Sequence, residues 1–86
     1  MNIRDIDNYL NNKILDGNDF IRCTFYEIRV KLGINENEVN DFLALAKNKL
    51  ENNGYDVFFT GAIFKFKGIQ KKVEDNEMII AIKEEL

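Results

Sequence analysis

Two helix-start signals, one shortly after the other, constrain this chain more than any other feature. In "TFYEIRVKLGINENEV" (24–39), Thr24 is followed three residues on by Glu27, and Asn35 three residues on by Glu38. Each pair is a capping box. The side-chain oxygen of the first residue accepts the N3 amide, and the carboxylate reaches back to the cap's own N–H. A helix that starts after Thr24 ends at about Leu32, where Gly33 supplies a left-handed exit, and Ile34 places one apolar residue inside the turn. The second helix spans 36–52, with Val39, Phe42, Leu43, Ala46 and Leu50 on one stripe, and "NNG" (52–54) ends it. Two short helices around a Gly-containing turn form a helix-turn-helix.

The flanking segments follow other periods. Ile3, Ile6, Leu10 and Ile14 recur at spacings of three and four, predicting an amphipathic helix over 3–15 that "DGND" (16–19) stops. "FIRC" (20–23) predicts a short strand. "YDVFF" (55–59) is β-rich, and "TG" (60–61) is a tight-turn signal. In "AIFKFK" (62–67), Ala62, Phe64 and Phe66 share one face, so the phenylalanines are expected in the core. "EDNE" (74–77) is a second turn signal, "MIIAIK" (78–83) a further strand and "KEEL" a polar end. The expected fold is α+β, in the order α-β-α-α-β-β-β. Two registers are open: 55–59 pairs with 62–67 across "TG", or 62–73 pairs with 78–83 across "EDNE". A three-stranded meander containing both is the favoured arrangement.

Composition narrows the function. A chain of 86 residues with 45% apolar and 31% charged side chains predicts one globular domain over 1–86. Apolar runs are too short to span a membrane, and the N-terminus lacks the apolar core of a signal peptide, so a cytoplasmic location is expected. One cysteine, Cys23, excludes an internal disulfide and is read as a small core residue. Histidine is absent, which removes the commonest general base and zinc ligand. No catalytic constellation, phosphate-cradling loop, cofactor or small-molecule site stands out, so no enzyme is expected. The net charge is −3, yet residues 61–73 hold Lys65, Lys67, Lys71 and Lys72 and no acid, which leaves −7 on the rest. An acidic body carries one basic strip.

The order helix, strand, two helices and β-hairpin resembles the winged helix-turn-helix family of DNA-binding proteins over almost the whole chain. The last third, "TGAIFKFKGIQKKVEDNEMIIAIKEE", is similar to the wing of small winged-helix proteins from Gram-positive mobile elements. Among these are the accessory proteins of clostridial conjugative plasmids that bind the origin of transfer. The resemblance implies a DNA-binding role on a plasmid or phage, in conjugation or transcription regulation, with double-stranded DNA as partner.

In that family the second helix of the motif enters the major groove. Here its start carries Glu36, Glu38 and Asp41, which suit a helix N-terminus and repel phosphate. Asn37 and Asn40 are candidates because an amide matches adenine N6 and N7, the favoured alternative being that they are simply solvated, and Lys47 lies further along. The wing is the stronger candidate. Lys65 and Lys67 fall on the face opposite the phenylalanines, with Gln70, Lys71 and Lys72 on or beside the same hairpin, where they can meet phosphates around a minor groove. Lysines that merely blunt a strand edge are the alternative. Arg22, Arg29 and Lys31 lie around the motif's first helix, where they either add phosphate contacts or are simply surface charge. Four phosphate contacts give a salt slope of roughly −3.6, a modest affinity that implies a homodimer or a partner DNA-processing protein. A second hypothesis is a protein-interaction winged helix whose acidic surface meets a basic partner, such as a phage-encoded inhibitor or DNA mimic.

Overall fold

The run "MIIAI" has no alternation, and the fold shows why. In the computed structural model, which describes residues 1–15 and 17–84, the segment Glu77–Ile82 is a strand buried along its whole length. Residue 16 of the expected "DGND" stop and residues 85–86 of the polar end lie outside the described residues. In chain order the elements are α1 (Ile3–Leu15), β1 (Phe20–Thr24), a π-helical segment (Glu27–Lys31), a 3-10 turn (Glu36–Glu38) and α2 (Val39–Asn52). Four strands follow: β2 (Asp56–Phe59), β3 (Ile63–Phe66), β4 (Ile69–Lys72) and β5 (Glu77–Ile82). The fold is α+β, with three helical segments and antiparallel sheets.

β5 lies between β1 and β2 in a three-stranded antiparallel sheet of order β1-β5-β2, and β3 pairs with β4 in a separate two-stranded sheet. Side chains alternate across a strand, so each face of the larger sheet collects its own core. Ile21 and Cys23 of β1, Val57 and Phe59 of β2, and Ile79 and Ala81 of β5 pack with Ile6, Leu10, Ile28, Ile34, Phe42, Ala46 and Leu50 from the helical layer. The opposite face turns Phe20, Phe58, Ile80 and Ile82 onto Phe64 and Phe66 of the β3–β4 hairpin. The Phe58 and Phe64 rings stack with centroids 5.2 Å apart, and Phe20 meets Phe66 edge-on at 5.1 Å. The molecule is thus layered: helices, sheet, hairpin. A strand covered on both faces reads as a continuous apolar run.

Both expected registers are corrected. Neither β2–β3 nor β4–β5 pairs; "TG" and "EDNE" are corners that carry the chain from one sheet to the other. Ala62 N–H donates to Phe59 O at 3.0 Å in the first, and Glu77 N–H donates to Glu74 O at 3.0 Å in the second. The hairpin turn lies instead at Lys67–Gly68, where both residues have positive φ, 51° and 78°. That is the pair of left-handed residues a two-residue hairpin loop needs. The described residues therefore hold five strands, one more than expected, and the three-stranded meander is replaced by a three-stranded and a two-stranded sheet.

Both helix-start signals between 24 and 39 are followed by helical backbone, with two differences: the second helix, expected over 36–52, begins as the 3-10 turn Glu36–Glu38 and is α-helical from Val39, and the first is not α-wound. Glu27 Oε1 accepts from the Thr24 N–H at 3.3 Å, and the Glu27 N–H donates to Thr24 Oγ1 at 3.2 Å. Asn35 N–H donates to Glu38 Oε1 at 3.0 Å. Gly33 sits at φ +66°, and Ile34 is buried. The first helix, however, winds wide: Leu32 N–H donates to Glu27 O at 3.0 Å, five residues back, so both Ile28 and Ile34 reach the core.

Phe64→Ala removes the main side chain joining hairpin to sheet, with an expected loss of about 3–4 kcal/mol. Amide exchange should accelerate in β3 and β4 more than in α2, a contrast that native-state exchange by NMR reads directly. Uniform acceleration throughout would show that the hairpin is not a separate layer.

Candidate nucleic-acid interface

The layering divides the candidate residues between two sides of the molecule. In the hairpin, Ile63 opposes Lys72 and Lys65 opposes Gln70, while Phe64 opposes Lys71 and Phe66 opposes Ile69. Cross-strand partners share a face. Ile63, Lys65, Gln70 and Lys72 therefore point to solvent, and all four are exposed. Lys71 stands on the phenylalanine face at its open end.

Lys67 does not share the outer face with Lys65, because it sits in the turn rather than in the strand. Its Nζ lies 3.3 Å from Asp19 Oδ2 and 5.2 Å from the centroid of the Phe66 ring, and its backbone N–H donates to Glu84 Oε1 at 2.6 Å. These contacts tie the hairpin tip to the α1–β1 loop and to the residues after β5, across an open cleft of about 640 Å³.

Arg22 belongs to the hairpin side as well, since it alternates with the helix-facing Ile21 and Cys23. Its Nε donates to Oε2 of Glu77, a carboxylate that is nearly buried. The other oxygen of Glu77, Oε1, accepts from the Glu74 N–H at 2.9 Å. Glu77 is thereby fixed, and it fixes Arg22 through Nε alone. The remaining guanidinium edge faces a cleft of about 310 Å³ that Lys71, Lys72, Glu74 and Asn76 also line. The sequence did not disclose Glu77, Asp19 or Glu84 as partners, because each meets its cation through the tertiary fold and not through a local spacing.

Arg29 and Lys31 are exposed on the π-helical segment, and Asn37, Asn40 and Lys47 are exposed on the 3-10 turn and α2. These five residues belong to the helical layer, across the sheet from the hairpin's outer face. The outward stripe of α2 shows Asp41, Ala44, Asn48 and Glu51, continuing from Glu36 and Asn37. Lys49 turns toward Asp7, with Nζ 3.5 Å from Oδ1.

A third polar group joins the helical layer to β1. Lys13 Nζ donates to Arg22 O at 2.8 Å, lies 3.4 Å from Glu27 Oε2, and stands 5.1 Å from the Tyr9 ring centroid. Burial pushes the Glu27 carboxyl up, but the Thr24 N–H and the Lys13 ammonium outweigh it and leave the group below its usual range. Burial also pushes the Cys23 thiol and the Tyr9 phenol up. Cys23 is fully enclosed in the core, a setting that disfavours the thiolate.

Among the described residues no helix is long and apolar enough to cross a membrane, and no group of three His, Cys, Asp or Glu side chains could hold a metal ion. No protein-family model, no curated protein and no solved structure matches the chain.

The depressed Glu27 group sets a pH dependence. Its contribution to stability is complete above the unfolded carboxyl pKa and is lost as pH falls through the lower folded value. Wild type should therefore exceed Glu27→Gln in stability at pH 7, and the gap should shrink at about pH 3. Urea midpoints of both proteins at the two pH values check this; a gap that is equal at both would show that the carboxylate charge is not what acts.

Proposed function

We propose that the chain is a winged-helix protein that binds duplex DNA through its β3–β4 hairpin. The observation that carries this reading is the outer hairpin face, where Lys65, Gln70 and Lys72 stand exposed with no acidic side chain among them. The order helix, strand, two capped helical segments, then strands that include a hairpin supports the winged-helix assignment, with the hairpin folded over the sheet rather than projecting from it. The likeness to origin-of-transfer accessory proteins supports a place on a mobile element, acting at an origin of transfer or an operator.

The geometry narrows the contact set. Lys65, Lys72 and Lys71 offer ammonium groups to phosphates, Gln70 offers an amide, and Arg22 adds a guanidinium edge at the hairpin's base. Lys67 is engaged by Asp19. Asn37, Asn40 and Lys47 lie on the far side of the sheet, so one duplex does not touch both sets. Binding of this kind is led by phosphate, which positions a protein on the duplex and carries little sequence information by itself.

A second reading rests on α2. Its exposed side, with the turn before it, holds Glu36, Asp41 and Glu51, a surface suited to a basic protein partner rather than to phosphate.

Fluorescence anisotropy with a mixed-sequence duplex at about 50 and 200 mM salt separates the two. Three phosphate contacts give a log–log slope of about −2.7, or roughly a 40-fold loss over that range. Lys65→Glu with Lys72→Glu should abolish binding and leave the circular dichroism spectrum unchanged. Undiminished affinity in that double variant would overturn the hairpin reading, and no binding at the lower salt would favour the protein-partner reading.

A further inference from the structure

The outward stripe of α2 and the outer hairpin face are opposite in sign and point in opposite directions, while Arg29 and Lys31 of the π-helical segment share the helical side. The α2 side exposes Glu36, Asp41 and Glu51, and Lys47 is the exposed lysine among the described residues of that helix. The hairpin side exposes Lys65 and Lys72. The sheet and both cores stand between them, so one chain cannot bring its own faces together. A second copy can.

We propose that the hairpin face of one copy docks on the α2 face of the next, so that the chain associates with itself head to tail. The dimensions agree. A four-residue strand is about 13 Å long, and Asp41 to Glu51 spans about 15 Å along the helix axis. Both faces also carry an exposed apolar side chain beside the charges: Ile63, 63% exposed, on the hairpin and Leu45, 37% exposed, next to Ala44 on α2. The lysines can reach the carboxylates while Ile63 covers Ala44 and Leu45.

Such a contact joins two different patches, so it does not close into a symmetric dimer but extends as an open series. A hairpin this small covers far less than the ~800 Å² per partner of a stable complex. The association is therefore weak and screened by salt, with a Debye length of about 10 Å at 0.1 M. It does not depend on the hairpin binding DNA. Where the hairpin does so, duplex and second copy compete for the same lysines.

Sedimentation velocity tests this, over roughly 20 µM to 1 mM protein and at about 30 and 300 mM salt. The mean sedimentation coefficient should rise with concentration at low salt and stay flat at high salt. Lys65→Glu/Lys72→Glu gives a chain acidic on both faces, and Asp41→Lys/Glu51→Lys a chain basic on both. Each alone should associate at least about tenfold more weakly than wild type, and an equimolar mixture of the two should associate again. All four positions are exposed, so circular dichroism should be unchanged. A wild type that stays monomeric at 1 mM and low salt overturns the proposal and leaves the α2 face to a foreign protein. So does a mixture that associates no better than its parts. Duplex titration of Asp41→Asn/Glu51→Gln, whose hairpin is intact and whose α2 face gains no cation, reads DNA binding independently of this result.

Discussion

Burial of β5 on both faces is the constraint on which the rest of the structure depends. A strand in the middle of an antiparallel sheet usually shows one face to a core and the other to water. Here Ile79 and Ala81 meet the helices while Ile80 and Ile82 meet the hairpin. The hairpin must therefore fold back over the sheet instead of projecting from its edge. The aromatic cluster of Phe20, Phe58, Phe64 and Phe66 is what makes that position favourable, since paired rings add about 0.5–1.5 kcal/mol each beyond their buried area. The polar contacts of Lys67 with Asp19 and Glu84 then fix the tip.

One consequence is electrostatic. Covering the second face with β3 and β4 sends their alternate residues, Ile63, Lys65, Gln70 and Lys72, to the outside, and the basic strip becomes a surface backed by rigid packing. The same layering sets the acidic start of α2 on the other side. The separation of charge seen along the sequence becomes a separation across the molecule.

What the sequence disclosed follows the range of the interactions involved. The capping boxes at Thr24–Glu27 and Asn35–Glu38, the exit at Gly33 and the buried Ile34 are encoded within a few residues and form as expected. Four of the five strands were visible from period or β-rich composition. β4 escaped because "IQKK" is exposed along its whole length and offers no apolar period. Its turn, Lys67–Gly68, lacks the Asn or Asp that most often marks a two-residue hairpin loop. The π-helical winding of Glu27–Lys31 was not visible either, since no local spacing in the segment marks it. The candidate site was legible as a list of cations but not as an arrangement. Nothing local announces that Asp19 engages Lys67, that Glu77 fixes Arg22, or that the helix-side and hairpin-side candidates face apart.

The layered arrangement also bears on how the chain could discriminate among targets. A hairpin that presents lysines on a rigid support binds phosphates with little dependence on sequence. The amides that could read bases, Asn37 and Asn40, lie beside three carboxylates on the opposite side. On the proposed DNA-binding reading, a single copy on a single duplex has the means to position itself and few means to specify. On that reading, specificity comes from the shape and deformability of the site. Head-to-tail association does not supply it, because a copy that docks its hairpin on the acidic side of a neighbour has no hairpin left for a duplex; the two proposed contacts are alternatives.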